Sequence, residues 1–427
     1  MKNLVEELTW RGLVQDIMPG TEEQLLKEMT TGYIGFDPTA DSLHIGNLVP
    51  VMLLTHLQRF GHRPIALVGG ATGLVGDPSG KTAERNMLDR EVIQHNLSSQ
   101  KKQLERFLDF DKSKENAAEV VNNYDWFGDI GFLEFIRDVG KHISINYMMA
   151  KDSVQSRLET GMSFTEFSYQ LIQGYDFYWL WKNKNVSLQM GGSDQWGNIT
   201  TGTELIRRKG SGEAFALTAP LLKKSDGSKF GKSEGGNIWL DKTKTSPYKF
   251  YQYWLNSSDE DAGKFMRIFT FKTKEEIEQL EAEHSNDPGR RILQKELAKA
   301  VTIMVHSEDD FETALAASDI LFGKSTEDDL RKIGEDDFLN IFEGVDQAEI
   351  PKEKLESGLG IIDALASESG FLKSNGEARR ALKENSISVN KSKVSDDKVI
   401  TPKDLLNGRY ILLQRGKKKY FILKVTQ

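Results

Sequence analysis

YIGFDPTADSLHIGN, residues 33–47, is the stretch on which the fold turns. It opens with a short apolar-aromatic run, Tyr33–Asp37, which Pro38 breaks. A polar turn then leads into a helical pattern from Ile45 to Phe60 that stops before Gly61, and a second apolar run, Pro64–Gly70 (PIALVGG), follows. The reading is strand, helix, strand. Pro50 fits the helix if it opens at His44–Gly46, because the first turn has amides without intrahelical partners. The unit is βαβ, and its loop lies at the carboxyl end of the first strand, where open α/β sheets bind ligands. Further out, Val186–Met190 and Phe215–Leu222 read as strands, with aromatic helical material from Tyr124 to Trp181 before them. Residues 245–320 are mostly helical by pattern. Residues 323–358, rich in acid, Gly, Ser and Lys, read as a connector with at most one short helix.

The chain has 427 residues, room for two to four domains and an ample core. Hydrophobic residues are 38% and charged residues 28%, a polar but foldable balance. The absence of cysteine excludes disulfides, thiolate nucleophiles, iron–sulfur clusters and cysteine-ligated zinc. The start, MKNLVEELTWRGLVQD, shows no export signal, and no run approaches the 18 apolar residues of a membrane span. A cytoplasmic, multidomain protein with no membrane partner is expected. The net charge of −8 does not advertise nucleic-acid binding, but its distribution does. Gly370–Gln427 carries 14 Lys/Arg against 5 Asp/Glu, a net of +9, whereas the remaining 369 residues carry 42 against 59. A small basic module follows an acidic body. Its patterned apolar residues, among them Ile387, Val389, Ile411, Leu413 and Phe421, argue against a merely solvated tail.

Two motifs carry chemistry. His44 and Gly46, at a helix amino terminus, suit a phosphate, since free amides and the helix dipole favour anions and glycine lets a flat ligand approach. Taken alone, the tetrad His44–Asn47 is a weak signal that reads better as a capping histidine beside a turn glycine. The second is Lys229-Phe-Gly-Lys232-Ser233, within LLKKSDGSKFGKSEGG, after an apolar strand. Two lysines three apart among small residues form a mobile loop able to close over a polyphosphate. Standing alone, it reads better as a solvated basic turn, and it lacks the spacing of a Walker loop.

Together, a strand–HIGN–helix and a KFGKS some 185 positions later resemble the two signatures of class I aminoacyl-tRNA synthetases. YIGFDPTADSLHIGN, GDPSGK (76–81), SYQLIQGYDF (168–177) and GGSDQWGNIT (191–200) narrow the resemblance to the bacterial tyrosyl-tRNA synthetases, in their order and over essentially the whole length. The resemblance implies a Rossmann-like α/β catalytic domain over 1–222 with a helical, dimer-forming insertion at about 124–168. It further implies a KFGKS loop and linker (223–244), an α-helical anticodon-side domain (245–322), the connector, and a small α+β S4-like RNA-binding domain (359–427). Implied substrates are L-tyrosine, ATP with its Mg2+, and tRNA(Tyr), with no protein-bound metal or prosthetic group, and a homodimer. Tyr33 and Asp176 would hydrogen-bond the phenol, which needs both a donor and an acceptor. Tyr169, Gln173 and Asp77 would hold the α-ammonium group, with Asp37 beside them and Gln195 near the reacting carboxylate. Gly35, Gly46, Gly191, Gly192 and Asp194 would contact ribose and adenine. Thr39, His44 and Asn47 would face the phosphates, with Lys81, Arg85, Lys229, Lys232 and Ser233 around the leaving pyrophosphate.

Four positions depart from the family pattern. Asn47 replaces the second histidine of the general signature, though its amide still donates to phosphate. Phe230 and Gly231 replace the usual Met-Ser pair, and Ile34 stands where relatives can carry a polar side chain, which leaves a ribose contact there open. Near the carboxyl end, FLKSNGEARRALKENSISVN (371–390) resembles the S4 motif. Ser374 and Glu377 fit a capping box. Arg379, Arg380 and Lys383 would then present a basic face to phosphates. Two other readings are a tryptophan-specific class I synthetase and a catalytically idle RNA-binding relative. The Tyr33/Asp176 pair and the S4-like tail argue against the first, and the intact HIGN and KFGKS against the second.

Overall fold

The computed structural model describes residues 3–77, 89–157, 161–228, 230–233, 236–322, 326–342, 345–416 and 419–426. Its contacts divide the chain into two units, one of Met1–Thr245 with Tyr253–His306, the other of Ser246–Gln252 with Ser307–Gln427.

The first unit is built on a six-stranded sheet: β1 (Asp16–Ile17), β2 (Thr31–Phe36), β3 (Arg63–Val68), β4 (Glu119–Asn122), β5 (Val186–Gly192) and β6 (Phe215–Ala219), in the spatial order β1-β6-β5-β2-β3-β4. All neighbouring strands run parallel except the edge pair β1 and β6. The four strands expected from apolar runs are present, each within a few residues of its expected ends. From β2 the chain winds outward through β3 and β4 on one side, and later through β5 and β6 on the other. The switch therefore lies between β2 and β5, and a ligand crevice is expected beyond their carboxyl ends.

Helix α1 (Leu48–Arg59) follows a single 3-10 turn at Ile45–Asn47, so Pro50 occupies the first turn, as the missing amide requires. Nearly all of α1 is buried, from Leu48 through Leu57, which explains why its sequence is almost continuously apolar. Two further helices frame the crevice, α2 (Phe164–Lys184) and α3 (Trp196–Leu205). They pack closely: a Cβ on Gly202 would lie 2.9 Å from the Phe177 ring. A short antiparallel pair, β7 (Lys232–Ser233) with β8 (Gly236–Asn237), carries the last two residues of the KFGKS motif.

The second unit holds a five-stranded sheet in the order β12-β11-β14-β15-β9, from β9 (Gln347–Pro351), β11 (Ile387–Val389), β12 (Ser392–Lys393), β14 (Tyr410–Arg415) and β15 (Lys419–Thr426). A separate two-stranded pair joins β10 (Leu359–Gly360) to β13 (Val399–Ile400). Alternation along β14 sends Ile411 and Leu413 to one core, with helix α4 (Asn375–Lys383), and Tyr410 and Leu412 to another, with Phe338 and Phe342. The region expected to be a connector with at most one short helix holds three, Glu327–Arg331, Glu335–Ile341 and Lys352–Glu356, as well as β9. β9 pairs in parallel with β15 and buries Ile350, while Leu355 joins the same core. Parallel pairing across some seventy residues leaves no local trace, which is why the composition misled.

Candidate active site

The crevice at the β2/β5 switch is a cavity of about 550 Å³. Tyr33, Gly35 and Asp37 reach it from β2, His44, Gly46 and Asn47 from the following turn, and Asp77 from beyond β3. Tyr169, Gln173 and Asp176 line it from one face of α2, as their spacing of four and three residues requires, and Gly191, Gly192, Asp194 and Gln195 from the end of β5. Thr39 lines an adjoining recess of about 200 Å³, together with Asp37, His44 and Asn47. Lys81, Arg85 and Lys229 lie outside the described residues, as do the side chains of Lys232 and Ser233.

Helix α2 is aimed by its amino terminus. Ser163 and Glu166 form a capping box, and Arg157 grips the Glu166 carboxylate through two bonds of 2.9 and 3.1 Å, with both side chains buried. Tyr169, Gln173 and Asp176 follow on a helix held at its start.

At the buried end of the cavity, Asp176 is 2% exposed and accepts hydrogen bonds from Trp126 Nε1 (2.8 Å) and Asn123 Nδ2 (3.1 Å). Asn123 is itself fixed, since its amide oxygen accepts from the Ala71 amide at 2.7 Å and its nitrogen also reaches Thr72 Oγ1. Trp126 stacks on Trp179 at 4.3 Å. Burial pushes the Asp176 carboxyl up to about 8, Asn123 and Trp126 pull it down, and the nearby Asp37 raises it. Tyr33 is 1% exposed, edge-on to Phe177, and its hydroxyl has no partner among the described residues. Burial, and then the Asp176 charge, hold that phenol well above its usual range, so it stays protonated. A buried hydroxyl without a partner is costly, and a ligand hydroxyl placed between it and Asp176 would relieve that cost.

Midway along, Gln195 Nε2 donates to Asp77 Oδ2 at 2.7 Å, and Asn198 Nδ2 donates to Gln173 Oε1 at 3.0 Å. At the half-buried end, His44 Nδ1 accepts the Gly46 amide at 3.0 Å while its own amide donates to Asn47 Oδ1 at 3.0 Å. The neutral ring therefore carries its proton on Nε2, a donor for an anion. Gly46 is required here, because a Cβ would lie 2.8 Å from the histidine ring. Gly231, at φ +93, brings the KFGKS backbone onto the same turn: a Cβ there would lie 3.3 Å from the Gly46 nitrogen. Phe230 is buried beside Tyr253, Trp254, Phe265 and Phe269, stacked on the last at 5.2 Å, so the departure from Met-Ser is accommodated by an aromatic cluster.

Asn123, Trp126, Asn198 and Gln189, which is buried and lines the cavity, were not anticipated. Asn198 lies inside the quoted GGSDQWGNIT, but nothing local distinguishes it from a helix-surface asparagine. In the second unit, Arg379, Arg380 and Lys383 are exposed along α4. The expected capping box there is half formed. Ser374 Oγ accepts the Glu377 amide at 3.2 Å, while the Glu377 carboxylate reaches the Lys373 amide and Arg415 in place of the Ser374 amide.

A parallel sheet whose switch-point crevice joins a HIGN turn to a KFGKS segment defines a class I aminoacyl-tRNA synthetase, and residues 26–323 match the family of class I tRNA synthetases for tryptophan and tyrosine. Residues 337–423 match the SYY-like C-terminal domain of tyrosine–tRNA ligases. Similar proteins include a tyrosine–tRNA ligase of Flavobacterium johnsoniae, 63% identical with 100% of each chain covered, and one of Bacteroides thetaiotaomicron, 60% identical with 99% of each covered. Among solved structures, a C-terminally truncated mitochondrial tyrosyl-tRNA synthetase of Aspergillus nidulans is similar, with a TM-score of 0.65 and 31% identity over 74% of this chain and 92% of that one. The chain belongs to the tyrosine–tRNA ligase family.

Proposed function

We propose that this chain activates L-tyrosine with ATP and transfers it to the 3' end of tRNA(Tyr). The observation that carries the reading is the buried end of the cavity, where the unpartnered Tyr33 hydroxyl and the Asp176 carboxyl offer a donor and an acceptor to a phenol. Tyr169, Gln173 and Asp77 are assigned to the α-ammonium group, with Asp37 nearby and Gln195 toward the carboxylate. The glycines Gly35, Gly191 and Gly192, with Asp194, leave room for ribose and adenine. A carboxylate oxygen attacks the α-phosphorus, the bond to pyrophosphate breaks, and tyrosyl-adenylate forms. A hydroxyl of the terminal tRNA ribose then attacks the activated carbonyl, and AMP leaves. No protein nucleophile is called for. His44, Asn47, Thr39, Lys81, Arg85, Lys229, Lys232 and Ser233 act by positioning and charge, and magnesium arrives on ATP. The test is aminoacylation: tyrosine, ATP and tRNA(Tyr) should yield an alkali-labile tyrosyl ester on the RNA, and its absence would reject the reading.

The basic carboxyl-terminal unit is assigned to tRNA binding, with Arg379, Arg380 and Lys383 gripping phosphates. An Arg379→Ala, Arg380→Ala double variant should weaken tRNA binding and flatten the plot of log affinity against log salt by roughly 0.7–0.9 per lost contact. Filter binding across a salt series measures this, and an unchanged slope would remove these arginines from the interface. Adenylate formation should be unaffected.

A homodimer is supported by the apolar side chains left exposed in the helical insertion: Phe132 (66%), Leu133 (81%), Ile136 (42%), Ile145 (68%) and Phe164 (66%). Such a concentration is characteristic of an interaction surface. Leu133→Asp should convert the dimer to monomer in sedimentation, and a variant sedimenting unchanged would place the interface elsewhere. Among the described residues no helix is long and apolar enough to cross a membrane. A cytoplasmic location fits an enzyme acting on tRNA.

A further inference from the structure

Asn198 sits on the first turn of α3, 3% exposed, one turn before Gly202, where α3 packs closely on Phe177 of α2. Its Nδ2 donates to Gln173 Oε1 at 3.0 Å and, more weakly, to Gln195 Oε1 at 3.4 Å. The other end of the Gln195 amide is taken up by Asp77 Oδ2 at 2.7 Å and Asp194 Oδ2 at 3.3 Å. One buried amide thus reaches two glutamines from different elements, one on α2 and one beyond β5. A glutamine amide offers an acceptor at one end and a donor at the other, and a half turn exchanges them. A donor that takes one lone pair of the oxygen fixes the orientation and leaves the second lone pair for a ligand.

We propose that Asn198 is a positioning residue for the tyrosine site, fixing the amide orientation of Gln173 so that the cavity recognises an α-amino acid rather than a phenol alone. The inference rests on the assignment of Gln173 and Asp77 to the ammonium end of tyrosine. With Gln173 Oε1 anchored, an acceptor is available beside Asp77 for an ammonium group. The Gln195 NH2 meanwhile stays on the carboxylates of Asp77 and Asp194 and holds Asp77 in place for that ammonium group. Without Asn198 the Gln173 amide can turn, and an ammonium group then meets its NH2, an unpaired contact between like partners.

The experiment compares full-length protein with Asn198→Ala and Asn198→Leu, the latter of similar size with neither donor nor charge. Equilibrium affinities are measured for tyrosine, for 3-(4-hydroxyphenyl)propionate, which lacks the ammonium group, and for tyramine, which lacks the carboxylate. Ratios of affinities within one preparation do not depend on its active fraction, so partial misfolding does not obscure the result. In the unmodified protein tyrosine should bind more tightly than either analogue. If it binds no more tightly than the propionate, the assignment of Gln173 and Asp77 fails whatever Asn198 does. In both variants tyrosine should weaken roughly tenfold or more, as expected for a lost hydrogen bond to a charged group. The propionate should weaken far less, so the preference for the ammonium group collapses, while KM for ATP stays unchanged. Equal weakening of all three ligands would make Asn198 a packing residue only. No weakening of any would show that Gln173 orients itself. Either outcome overturns the proposal.

Discussion

Lys232→Ala is expected to slow adenylate formation on the order of 10²–10³-fold while leaving tyrosine affinity unchanged. Charge grows on the pyrophosphate only as its bond to the α-phosphorus breaks, so a cation there strengthens its contact in the transition state and not in the bound ground state. The geometry supports this assignment. Gly231 brings the KFGKS backbone to within van der Waals reach of Gly46, and β7 starts at the next residue. His44→Ala should act on the same step, because the Nε2 proton that its cap geometry fixes has no substitute in alanine. Single-turnover adenylate formation, measured beside equilibrium tyrosine binding, separates the two effects. Loss of tyrosine affinity at an unchanged chemical rate would move these residues out of the phosphate site.

The second large effect concerns selection of the phenol. A site built to hydrogen-bond a substrate hydroxyl rejects the analogue lacking it by about 10⁴–10⁵, a magnitude for which this family is itself the standard example and which therefore enters as a premise. Asp176→Ala should remove most of that discrimination by lowering kcat/KM for tyrosine far more than for phenylalanine. It also leaves the Asn123 and Trp126 donors facing the cavity without an acceptor. Tyr33→Phe removes one neutral bond, worth about 0.5–1.5 kcal/mol, and should cost only roughly 2–13-fold. Comparing kcat/KM for the two amino acids in each variant tests the assignment. An Asp176→Ala variant that still prefers tyrosine as strongly would place the phenol elsewhere.

The parts of this architecture that were legible in the sequence share one property: their signal is local. β2, β3, β5 and β6 are short apolar runs with clear ends, and Pro50 was reconcilable with α1 because a helix start tolerates it. β4 was missed because Glu119–Asn122 is a half-polar strand at the sheet edge, and β1 because two residues make no pattern. β9 and Leu355 are held by partners far along the chain, so an acid-rich surface composition hid a core strand. The site divides in the same way. His44, Gly46 and the face of α2 bearing Tyr169, Gln173 and Asp176 lie in contiguous motifs. Asn123, Trp126 and Asn198 act through side chains brought in from other elements, and one chain read in order gives no sign of it. The Asp176 carboxyl illustrates the gap: its identity was readable, but the two donors that hold it were not.

Tyrosine-dependent exchange of pyrophosphate into ATP, run with the purified full-length chain and no tRNA, decides whether this cavity activates tyrosine. Tyrosine should support rapid exchange, while phenylalanine, tryptophan and a no-amino-acid control should barely do so. Exchange driven by tryptophan would assign the cavity to the wrong amino acid. No exchange with any of them would show that the intact HIGN and KFGKS motifs do not form an activation site.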